Sequence, residues 1–478
     1  MPATILDIPL RSPFELRPEV PGQKTIAQTS KTDRGSVRFN LVTEGEEVFG
    51  RAAVKYDSAL TDFDGRGMLW YKDQLYQAET SHLYRGATLI GPLDGLTSKV
   101  QWAGGSVGTA LLIMTPTYGY FWNGTVYTIV ADATFNAIAG RKTSCAYLDG
   151  TFYVCGTGGD IWGSKYLNDA TTWDALNRIN AWQEPSPCLG VVSHRQYILA
   201  LKEASTQVFY DAGSQTGSPL GAVLNATIPY GCLNLDTHQE VDATNIWVSQ
   251  HKDFGLQVLQ VVNVQPKVIS TPAVERFLQR NFSAAQTATS FTAKMLGHQF
   301  YGLCLTDSST GRQVTLVCNL TNYDWGFWTN SSGNGFNFIA TGVRTSLAGY
   351  KTLLQTKNAG YFTLEDSVYT DTLDVSGVAS SIPAEVYSPI VDGGSSVEKT
   401  GVRLDVRGDY RFSGDIMVSW SDDDYQTWVP WRYIPMRDGF SQLTDLGNFR
   451  RRAFRFRHES ATPVRLLGAQ LHVLPGLT

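Results

Sequence analysis

Short runs of alternating apolar and polar residues recur along the chain from about Phe63, and turn residues separate them. L-W-Y is followed by K-D and then Q-L-Y over residues 69–76, and C-A-Y-L by D-G and then T-F-Y-V-C over residues 145–155. Alternation with a period of two is typical of half-buried strands, and Asn-Gly or Asp-Gly between two such runs favours a tight hairpin turn. The pattern therefore predicts a succession of β-hairpins.

Four more hairpins are predicted in the same way, with turns at N-G, H-R, G-H and A-G. They span residues 118–129, 191–201, 295–305 and 345–355. A third short strand usually follows, as in T-Q-V-F-Y-D over 206–211. Units of three or four strands that recur roughly every 35–55 residues are typical of propeller blades. We therefore predict an all-β chain with a β-propeller of six or seven blades over residues 51–376.

Three segments break this rhythm. Residues 1–50 are rich in Pro and polar residues and are predicted to form an N-terminal arm, or an extended edge laid on another part of the molecule. Thr271 followed by Pro272 is a helix-start signature, which predicts a short helical insertion near 271–280. A Gly/Ser/Pro-rich passage after residue 376 marks a domain boundary, and the strand patterns beyond it predict a C-terminal β-sandwich-like domain over 385–478.

The charge of the chain is unevenly distributed. Its formal net charge is -5, which argues against tight wrapping of nucleic acid. From residue 401 onward there are eleven Arg, no Lys and nine Asp plus Glu, a net of +2. Because Arg pairs with carboxylates in a bidentate way, an Arg-only set suits contacts between proteins better than a solvated Lys surface would.

The six cysteines show no C-x-x-C pair and no His at metal-ligand spacing, and we predict no cofactor and no metal site. Cys145 and Cys155 could face each other across a hairpin, but buried free thiols are expected in a chain made in a reducing cytosol. The first residues lack the pattern of a cleaved signal, and no apolar run approaches 18 residues. Export by a signal peptide and stable membrane insertion are therefore not expected.

The segment Ser421-x-Asp423-x-Tyr425-x-Thr427-Trp428 approximates the Asp-box turn of sialidase-like propellers. In such a turn the Ser and Asp side chains accept hydrogen bonds from backbone N–H groups, and the Trp packs beneath. Tyr425 stands where Gly is usual, and the segment occurs once, outside the repeats. We interpret Ser421, Asp423 and Trp428 as a structural turn.

Two other motifs could carry chemistry. Asp422, Asp423 and Asp424 could bind Ca²⁺, but no bidentate Glu follows at loop spacing, and a solvated acidic turn is the favoured interpretation. Residues 104–108 match the G-x-S-x-G nucleophile elbow, which needs a helix directly after the serine. The following T-A-L-L-I-M predicts a strand, so we interpret the motif as a glycine turn. No catalytic residue is predicted.

The run R-R-A-F-R-F-R-H over 451–458 alternates as a strand. Arg452, Phe454, Phe456 and His458 are predicted to share one face, and Arg451, Ala453, Arg455 and Arg457 the other. The arginines could contact phosphate or an acidic partner, or could lie along the surface while the aromatics enter a core. We favour Arg451, Arg455 and Arg457 as a contact between subunits.

From about Arg66 the chain resembles the packaged-DNA stabilisation proteins, also called tail hub or nozzle proteins, of short-tailed bacteriophages. The resemblance rests on an ordered set of segments. They are H-R-Q-Y-I-L-A-L with T-Q-V-F-Y-D (194–211), S-T-P-A-V-E (270–275), G-H-Q-F-Y (297–301), W-x-x-W (325–328), the turn at 420–428, and L-G-N-F-R-R-R-A-F-R-F (446–456). Tyr425 and the N-terminal arm depart from the family pattern.

The resemblance implies a structural virion protein of the tail, made in the host bacterial cytoplasm, and not an enzyme. It implies a homo-oligomeric ring of six copies below the portal and its adaptor, which extends the DNA exit channel and retains packaged DNA. Tail fibres or spikes and a central plug or needle are the further partners implied. DNA would pass through without sequence-specific binding.

Two alternatives to a tail subunit stay open at this point. The first is a propeller glycosidase or sialidase-like carbohydrate-active protein, which would need paired carboxylates across a pocket or an Arg cluster facing the propeller axis. The second is a propeller interaction module of cellular origin, which would leave the family-like C-terminal segments unexplained.

Overall fold

Seven four-stranded antiparallel sheets follow one another along the chain and form the blades of a β-propeller. The computed structural model describes residues 4–10, 36–45, 47–214, 216–224, 226–251, 253, 255–281, 288–306, 311–346, 349–409, 414–436 and 441–476. Blades 1–5 are separate four-stranded sheets, whereas blades 6 and 7 are each part of a larger sheet. The all-β propeller predicted from the hairpin pattern is confirmed.

The blades have the following strands, given in order from the propeller axis outward. Blade 1 comprises Gly65–Tyr71, Gln74–Glu79, His82–Arg85 and Thr88–Pro92; blade 2 Gln101–Gly104, Leu111–Met114, Gly119–Trp122 and Tyr127–Ile129; blade 3 Cys145–Leu148, Thr151–Cys155, Asp160–Tyr166 and Asp169–Asn180; blade 4 Cys188–His194, Tyr197–Lys202, Thr206–Asp211 and Leu220–Ala222. Blade 5 comprises Gln239–Val241, Thr244–His251, Gly255–Val262 and Gln265–Val268, and blade 6 Thr289–Met295, His298–Thr306, Gln313–Asn319 and Asp324–Trp328.

Blade 7 takes its strands from both ends of the propeller sequence. Phe338–Ser346, Gly349–Thr356 and Tyr361–Glu365 supply three strands, and Ala53–Ser58 supplies the fourth by pairing antiparallel with Tyr361–Glu365. We call Ala53–Ser58 the closing strand, because it joins the start of the propeller to its end. Two short strands, Thr370–Thr372 and Ala379–Ser381, extend this sheet beyond it.

A hydrophobic cluster fills each gap between neighbouring blades, so the ring of seven is closed by packing as well as by pairing. Between blades 7 and 1, for example, Met68 and Leu75 pack against Ile339, Leu353 and Tyr361. The other six gaps are filled in the same manner. Each blade therefore buries both of its faces against its neighbours.

Several hairpin turns are two residues long with left-handed backbone at both residues, as type I′ turns require. Lys72 and Asp73 have φ of 48° and 59°, and Asp149 and Gly150 have φ of 43° and 93°. Two predicted turns lie one residue away from their expected place. Arg195 and not His194 begins one of them, and the other is formed by Leu296–Gly297, since His194 pairs with Tyr197 and Met295 with His298.

The Asn-Gly turn that the sequence predicts takes a different form. The Asn123-Gly124 turn is a four-residue loop, in which the Asn123 side chain accepts hydrogen bonds from the backbone N–H groups of Thr125 (3.0 Å) and Val126 (2.7 Å). The predicted turn near Ala348 lies outside the described residues. An Asn side chain that caps its own loop replaces the tight turn that the Asn-Gly pair favours.

The described helices are short. One spans Ala133–Asn136, a 3₁₀ turn spans Leu235–Thr237, and the helix predicted near 271–280 spans Pro272–Asn281. The helix Pro272–Asn281 is buried between blades 5 and 6 through its apolar residues Ala273, Val274, Phe277 and Leu278. No helix within the described ranges has the length and hydrophobicity needed to cross a bilayer.

The C-terminal domain is a β-sandwich, as the sequence predicts, and one of its sheets continues blade 6. Beyond Asp324–Trp328 this sheet adds Val37–Phe39, Ala384–Tyr387, Ala453–His458, Asp415–Ser421 and Arg432–Pro435. The facing sheet comprises Leu41–Glu44, Glu47–Gly50, Arg465–Pro475, Lys399–Gly408 and Ser441–Thr444, with Thr4–Ile8 and Asn448–Phe449 at its sides. Their inner faces share one hydrophobic core.

The sandwich therefore includes residues that the sequence assigned to an arm. Thr4–Ile8 lies as an extended edge on Arg465–Pro475, Val37–Phe39 belongs to one sheet, and Leu41–Glu44 and Glu47–Gly50 belong to the other. The expected boundary at residue 50 differs from the structure because three of these strands pair with Ala384–Tyr387 and Arg465–Pro475, near the other end of the chain. The propeller is thus inserted between two parts of one sandwich.

A buried polar network joins the two domains where the N-terminal strands, blade 6 and blade 7 meet. The Arg51 guanidinium donates to both carboxylate oxygens of Asp371, at 3.0 and 2.6 Å, and neither side chain is exposed. Arg51 also donates to Asn40 Oδ1 at 2.8 Å and to the backbone oxygens of Ala52 and Thr329 at 2.7 and 3.1 Å. Bidentate pairing with further hydrogen bonds is the arrangement that makes a buried charge tolerable.

Candidate functional site

The Asp-box-like turn follows the strand Asp415–Ser421 at the edge of the sandwich. Ser421 Oγ accepts a hydrogen bond from the Tyr425 N–H at 3.0 Å and donates to Asp423 Oδ1 at 2.8 Å. The same carboxylate oxygen accepts from the N–H groups of Gln426 (3.1 Å) and Thr427 (2.9 Å). Burial acts to raise the pKa of Asp423, but these hydrogen bonds together with that from the Thr427 hydroxyl lower it below its usual value.

Tyr425, the residue that departs from the family pattern, has a backbone that glycine would favour. Its φ is 68°, and that of Asp424 is 60°. The Tyr425 side chain is buried, its hydroxyl donates to the backbone oxygen of Ser388 at 3.1 Å, and its ring lies 5.9 Å from that of Trp428. A left-handed conformation costs a bulky residue free energy. Here burial and a hydrogen bond offset that cost.

We expect Tyr425→Gly to lower the free energy of unfolding by about 2–4 kcal/mol, because the cavity left by the ring outweighs the relief of backbone strain. Tyr425→Phe should cost about 1 kcal/mol, the value of one hydrogen bond. Urea denaturation monitored by tryptophan fluorescence measures both. Asp73→Gly is the matched control, since Asp73 has a φ of 59° but an exposed side chain. It should change stability by less than about 1 kcal/mol, and a stabilised Tyr425→Gly variant would contradict the argument.

Trp428 connects this turn to the propeller. Its ring is partly buried and packs edge-on against Tyr387 at 5.6 Å, within the hydrophobic cluster between blades 5 and 6. Arg455 lies over Trp428 at 4.6 Å and over Trp431 at 4.1 Å. The turn is therefore part of the junction between the domains as well as the end of a hairpin.

The arginine strand Ala453–His458 has its aromatic residues in the core, as the alternation predicts. Phe454 and Phe456 are buried in the sandwich. Arg452 is also buried and forms a bidentate ion pair with Asp422 at 2.7 and 2.8 Å. Its guanidinium lies over Phe449 at 4.3 Å. Arg452 is therefore a core residue of the sandwich and is not available for an external contact.

The three arginines proposed as a subunit contact each have a neighbour in the same chain. Arg451 pairs with Asp424, Arg457 pairs with Glu459, and Arg455 stacks on the two tryptophans. The Arg451 side chain is 56% exposed and that of Arg457 29%. The role of the three arginines in a subunit contact stays a prediction. Arg451 is more exposed than Arg457.

The aspartate triplet at 422–424 and the G-x-S-x-G motif at 104–108 are engaged in contacts within the fold. Asp422 and Asp424 pair with separate arginines while Asp423 closes the turn, and no group of three His, Cys, Asp or Glu able to hold a metal is found within the described ranges. Ser106 lies in the exposed loop between Gln101–Gly104 and Leu111–Met114, within 2.6 Å of the Tyr147 hydroxyl. A strand follows this serine, so the motif is a loop and not a nucleophile elbow.

A cavity of 620 Å³ opens at one end of the propeller, lined by residues of blades 1, 2, 6 and 7 and by Asp236, which precedes blade 5. Its charged lining residues are Lys99, Lys357 and Asp236. Burial lowers the pKa of Lys99, and it raises that of Asp236 although Lys99 acts in the opposite direction. One carboxylate among its described lining residues does not make the acid–base pair that glycoside hydrolysis needs.

A second depression, of 650 Å³, lies on the opposite face at blades 3 and 4. It contains two carboxylates, Asp149 and Asp211, together with Tyr147, Tyr197 and Tyr210. Asp211 Oδ1 accepts the backbone N–H of Gly213 at 2.7 Å, which closes its own turn. The depression is thus the place where the carbohydrate-active alternative can be tested on named residues.

Three comparisons place this architecture among known proteins. The family model described as Phage_stabilise, Bacteriophage P22 Gp10, beta-propeller, matches residues 50–332, more than half of the chain. No curated protein matches the chain significantly.

Among solved structures, a chain in the crystal structure of BBS1N in complex with ARL6DN is similar with a TM-score of 0.39 and 8% identity, covering 66% of this chain and 96% of that one. A chain in the crystal structure of the Mitotic Checkpoint Complex is similar with a TM-score of 0.34 and 8% identity, covering 77% of this chain and 95% of that one.

Proposed function

Because this chain belongs to the family of bacteriophage proteins that stabilise packaged DNA, represented by the P22 Gp10 β-propeller, we propose that it is a tail subunit of the nozzle or hub type. Copies of the chain would form a ring, six in number, below the portal and its adaptor. The ring would extend the DNA exit channel, retain packaged DNA and anchor tail fibres or spikes. A central plug or needle would close it.

The family match carries this proposal, and the fold shows which part of the chain it concerns. Residues 50–332 run from the closing strand to the end of blade 6. The matched region therefore comprises the closing strand and blades 1–6, and the other three strands of blade 7 and most of the sandwich lie outside it. The propeller would accordingly supply the function common to the family.

The junction between the domains favours a structural role. One continuous sheet runs from blade 6 into the sandwich, and the buried pair of Arg51 and Asp371 lies beside it. A sheet shared between domains leaves no linker that could act as a hinge. A conduit that holds DNA needs subunits of fixed shape, and a sheet shared between the two domains gives each subunit a fixed shape.

The charge of the chain fits a channel that passes DNA without gripping it. A net charge of -5 gives no excess of cations to neutralise phosphates. At physiological salt, repulsion acts within about 8 Å of a surface, so DNA would stay mobile in the channel. Arg451, Arg455 and Arg457 lie on the sandwich, where they would contact a neighbouring subunit or a fibre.

Electron microscopy of the purified protein mixed with its adaptor tests the proposal. We expect closed rings that depend on the adaptor. The triple variant Arg451→Ala, Arg455→Ala and Arg457→Ala should assemble less well than a control with Arg178→Ala, an exposed arginine of blade 3. A persistent monomer in the presence of adaptor would contradict the ring.

The carbohydrate-active alternative makes an opposite prediction. Hydrolysis of a sialoside or another glycoside by the monomer, abolished by Asp149→Asn or Asp211→Asn, would replace the tail assignment with an enzymatic one. We expect no difference in glycoside turnover between these variants and the unmodified protein.

A further inference from the structure

Two cysteines from neighbouring blades lie in contact in the propeller core. Cys155 ends the second strand of blade 3, Cys188 begins the first strand of blade 4, and their sulfur atoms are 3.4 Å apart. Both are fully buried. The Cys188 N–H donates to the Thr157 backbone oxygen at 3.2 Å, so the two backbones are adjacent as well.

Cys145 and Cys155, which could have faced each other across a hairpin, are not in contact. Cys145 lies opposite Val154 in blade 3, and Cys155 lies opposite Ile161, so the hairpin does not bring Cys145 and Cys155 together. The Cys145 sulfur instead approaches the Leu112 backbone oxygen at 3.8 Å. All six cysteines are free and buried, as expected for a chain made in a reducing cytosol.

We propose that Cys155 and Cys188 are an oxidation site at which a disulfide links blades 3 and 4 once the protein has left the reducing cytosol. The two thiols lose two protons and two electrons, and one S–S bond forms between their sulfur atoms. Molecular oxygen is the oxidant in an aerated medium and is reduced to hydrogen peroxide. In a test with diamide, the N=N bond of the reagent takes up the two hydrogens.

The surroundings of the pair favour this reaction. The Lys202 ammonium, itself buried, donates to the backbone oxygens of Ala181 (2.8 Å) and Glu184 beside blade 4. The hydrogen bond with Cys155 lowers the pKa of Cys188 against the effect of burial, and the charges of Lys202 and Lys142 act in the same direction. Because the thiolate is the reactive form, these contacts favour oxidation at the 3.4 Å pair.

A bond here would act on a ring that is otherwise closed without covalent links. Cys155 and Cys188 are 33 residues apart, and a cross-link of that span limits the freedom of the unfolded chain. It would also prevent blades 3 and 4 from separating. Burial of both sulfurs makes the reaction slow in the native state, since the oxidant must enter through local opening.

Thiol counting after oxidation tests the inference on the full chain. The reduced protein is treated with diamide under native conditions, the reagent is removed, and remaining thiols are alkylated in denaturant with N-ethylmaleimide. We expect four of the six cysteines to be alkylated. Mass spectrometry should show one cross-linked peptide pair, joined through Cys155 and Cys188 and lighter by two hydrogens. The midpoint of thermal unfolding should rise by roughly 5 °C and return on reduction.

Cys188→Ser and Cys145→Ser are the paired variants. Cys188→Ser should keep its other five thiols after diamide, whereas Cys145→Ser should still lose two. Where a variant fails to fold, the unmodified protein alone decides the question. Six alkylated cysteines after prolonged oxidation, or a cross-link between other cysteines, would overturn the proposal.

Discussion

Asp371→Asn should lower the free energy of unfolding by about 3–5 kcal/mol, the largest loss that we expect from an isosteric change in this chain. The substitution keeps the shape of the side chain and one oxygen. In the unmodified protein, Asp371 Oδ1 accepts a hydrogen bond from the Val54 N–H at 2.8 Å, and the Asn oxygen can still accept it. It removes the negative charge that faces Arg51. A fully buried guanidinium without a counter-charge is strongly unfavourable. Urea denaturation followed by fluorescence measures the loss.

Two further variants isolate the charge of this pair. Adding Arg51→Met to Asp371→Asn should recover part of the loss, because the unpaired buried charge disappears. Asp160→Asn is the surface control, since Asp160 and Arg178 are 33% and 53% exposed and 3.8 Å apart. It should cost less than about 1 kcal/mol. A loss below about 1 kcal/mol for Asp371→Asn would show that the pair does not stabilise the junction.

Val54→Asp should open the propeller at blade 7. Val54 lies on the closing strand, is fully buried and packs in the cluster between blades 6 and 7. A carboxylate there must either be buried without a partner or draw the strand out of the sheet. Because the closing strand pairs the start of the propeller sequence with its end, we expect a loss of about 4 kcal/mol or more and faster limited proteolysis of the whole ring.

Lys55→Asp is the matched control on the same strand. Lys55 is the next residue, points to the other face of the sheet and donates to the Thr372 hydroxyl at 2.8 Å from a partly buried position. Its replacement by Asp should cost about 1 kcal/mol and leave the proteolysis rate nearly unchanged. Equal losses for the two variants would mean that strand pairing, and not the buried cluster, holds the ring closed.

Local structure was predictable from the sequence because its signals are local. The alternating runs identify the hairpins, and the turn at Ser421 and Asp423 follows from side chains that bond to backbone within six residues. Turns without Gly or Asn-Gly signals were harder to place. Arg195 begins a left-handed turn with a φ of 54°, and the pair Asp242 and Ala243 form another with φ of 46° and 57°. Tertiary pairing fixes these turns, and no residue type reveals them.

Long-range structure was not predictable in the same way. Arg51 and Asp371 are 320 residues apart, and neither has a neighbour in sequence that suggests a buried pair. The fourth strand of blade 7 likewise precedes blade 1, so a count of consecutive units left six or seven blades open. Cys155 and Cys188 meet across blades, a contact that hairpin patterns within one blade do not indicate.

The insertion of the propeller into the sandwich affects the order in which the chain can fold on the ribosome. The strands Thr4–Ile8, Val37–Phe39 and Glu47–Gly50 pair with strands among residues 384–475. At a translation rate of about 5–20 residues per second, roughly 20–85 s separate the synthesis of these two parts. During that interval the first strands are exposed and can pair wrongly with neighbouring nascent chains. We therefore expect the first fifty residues to be a binding region for host chaperones during synthesis.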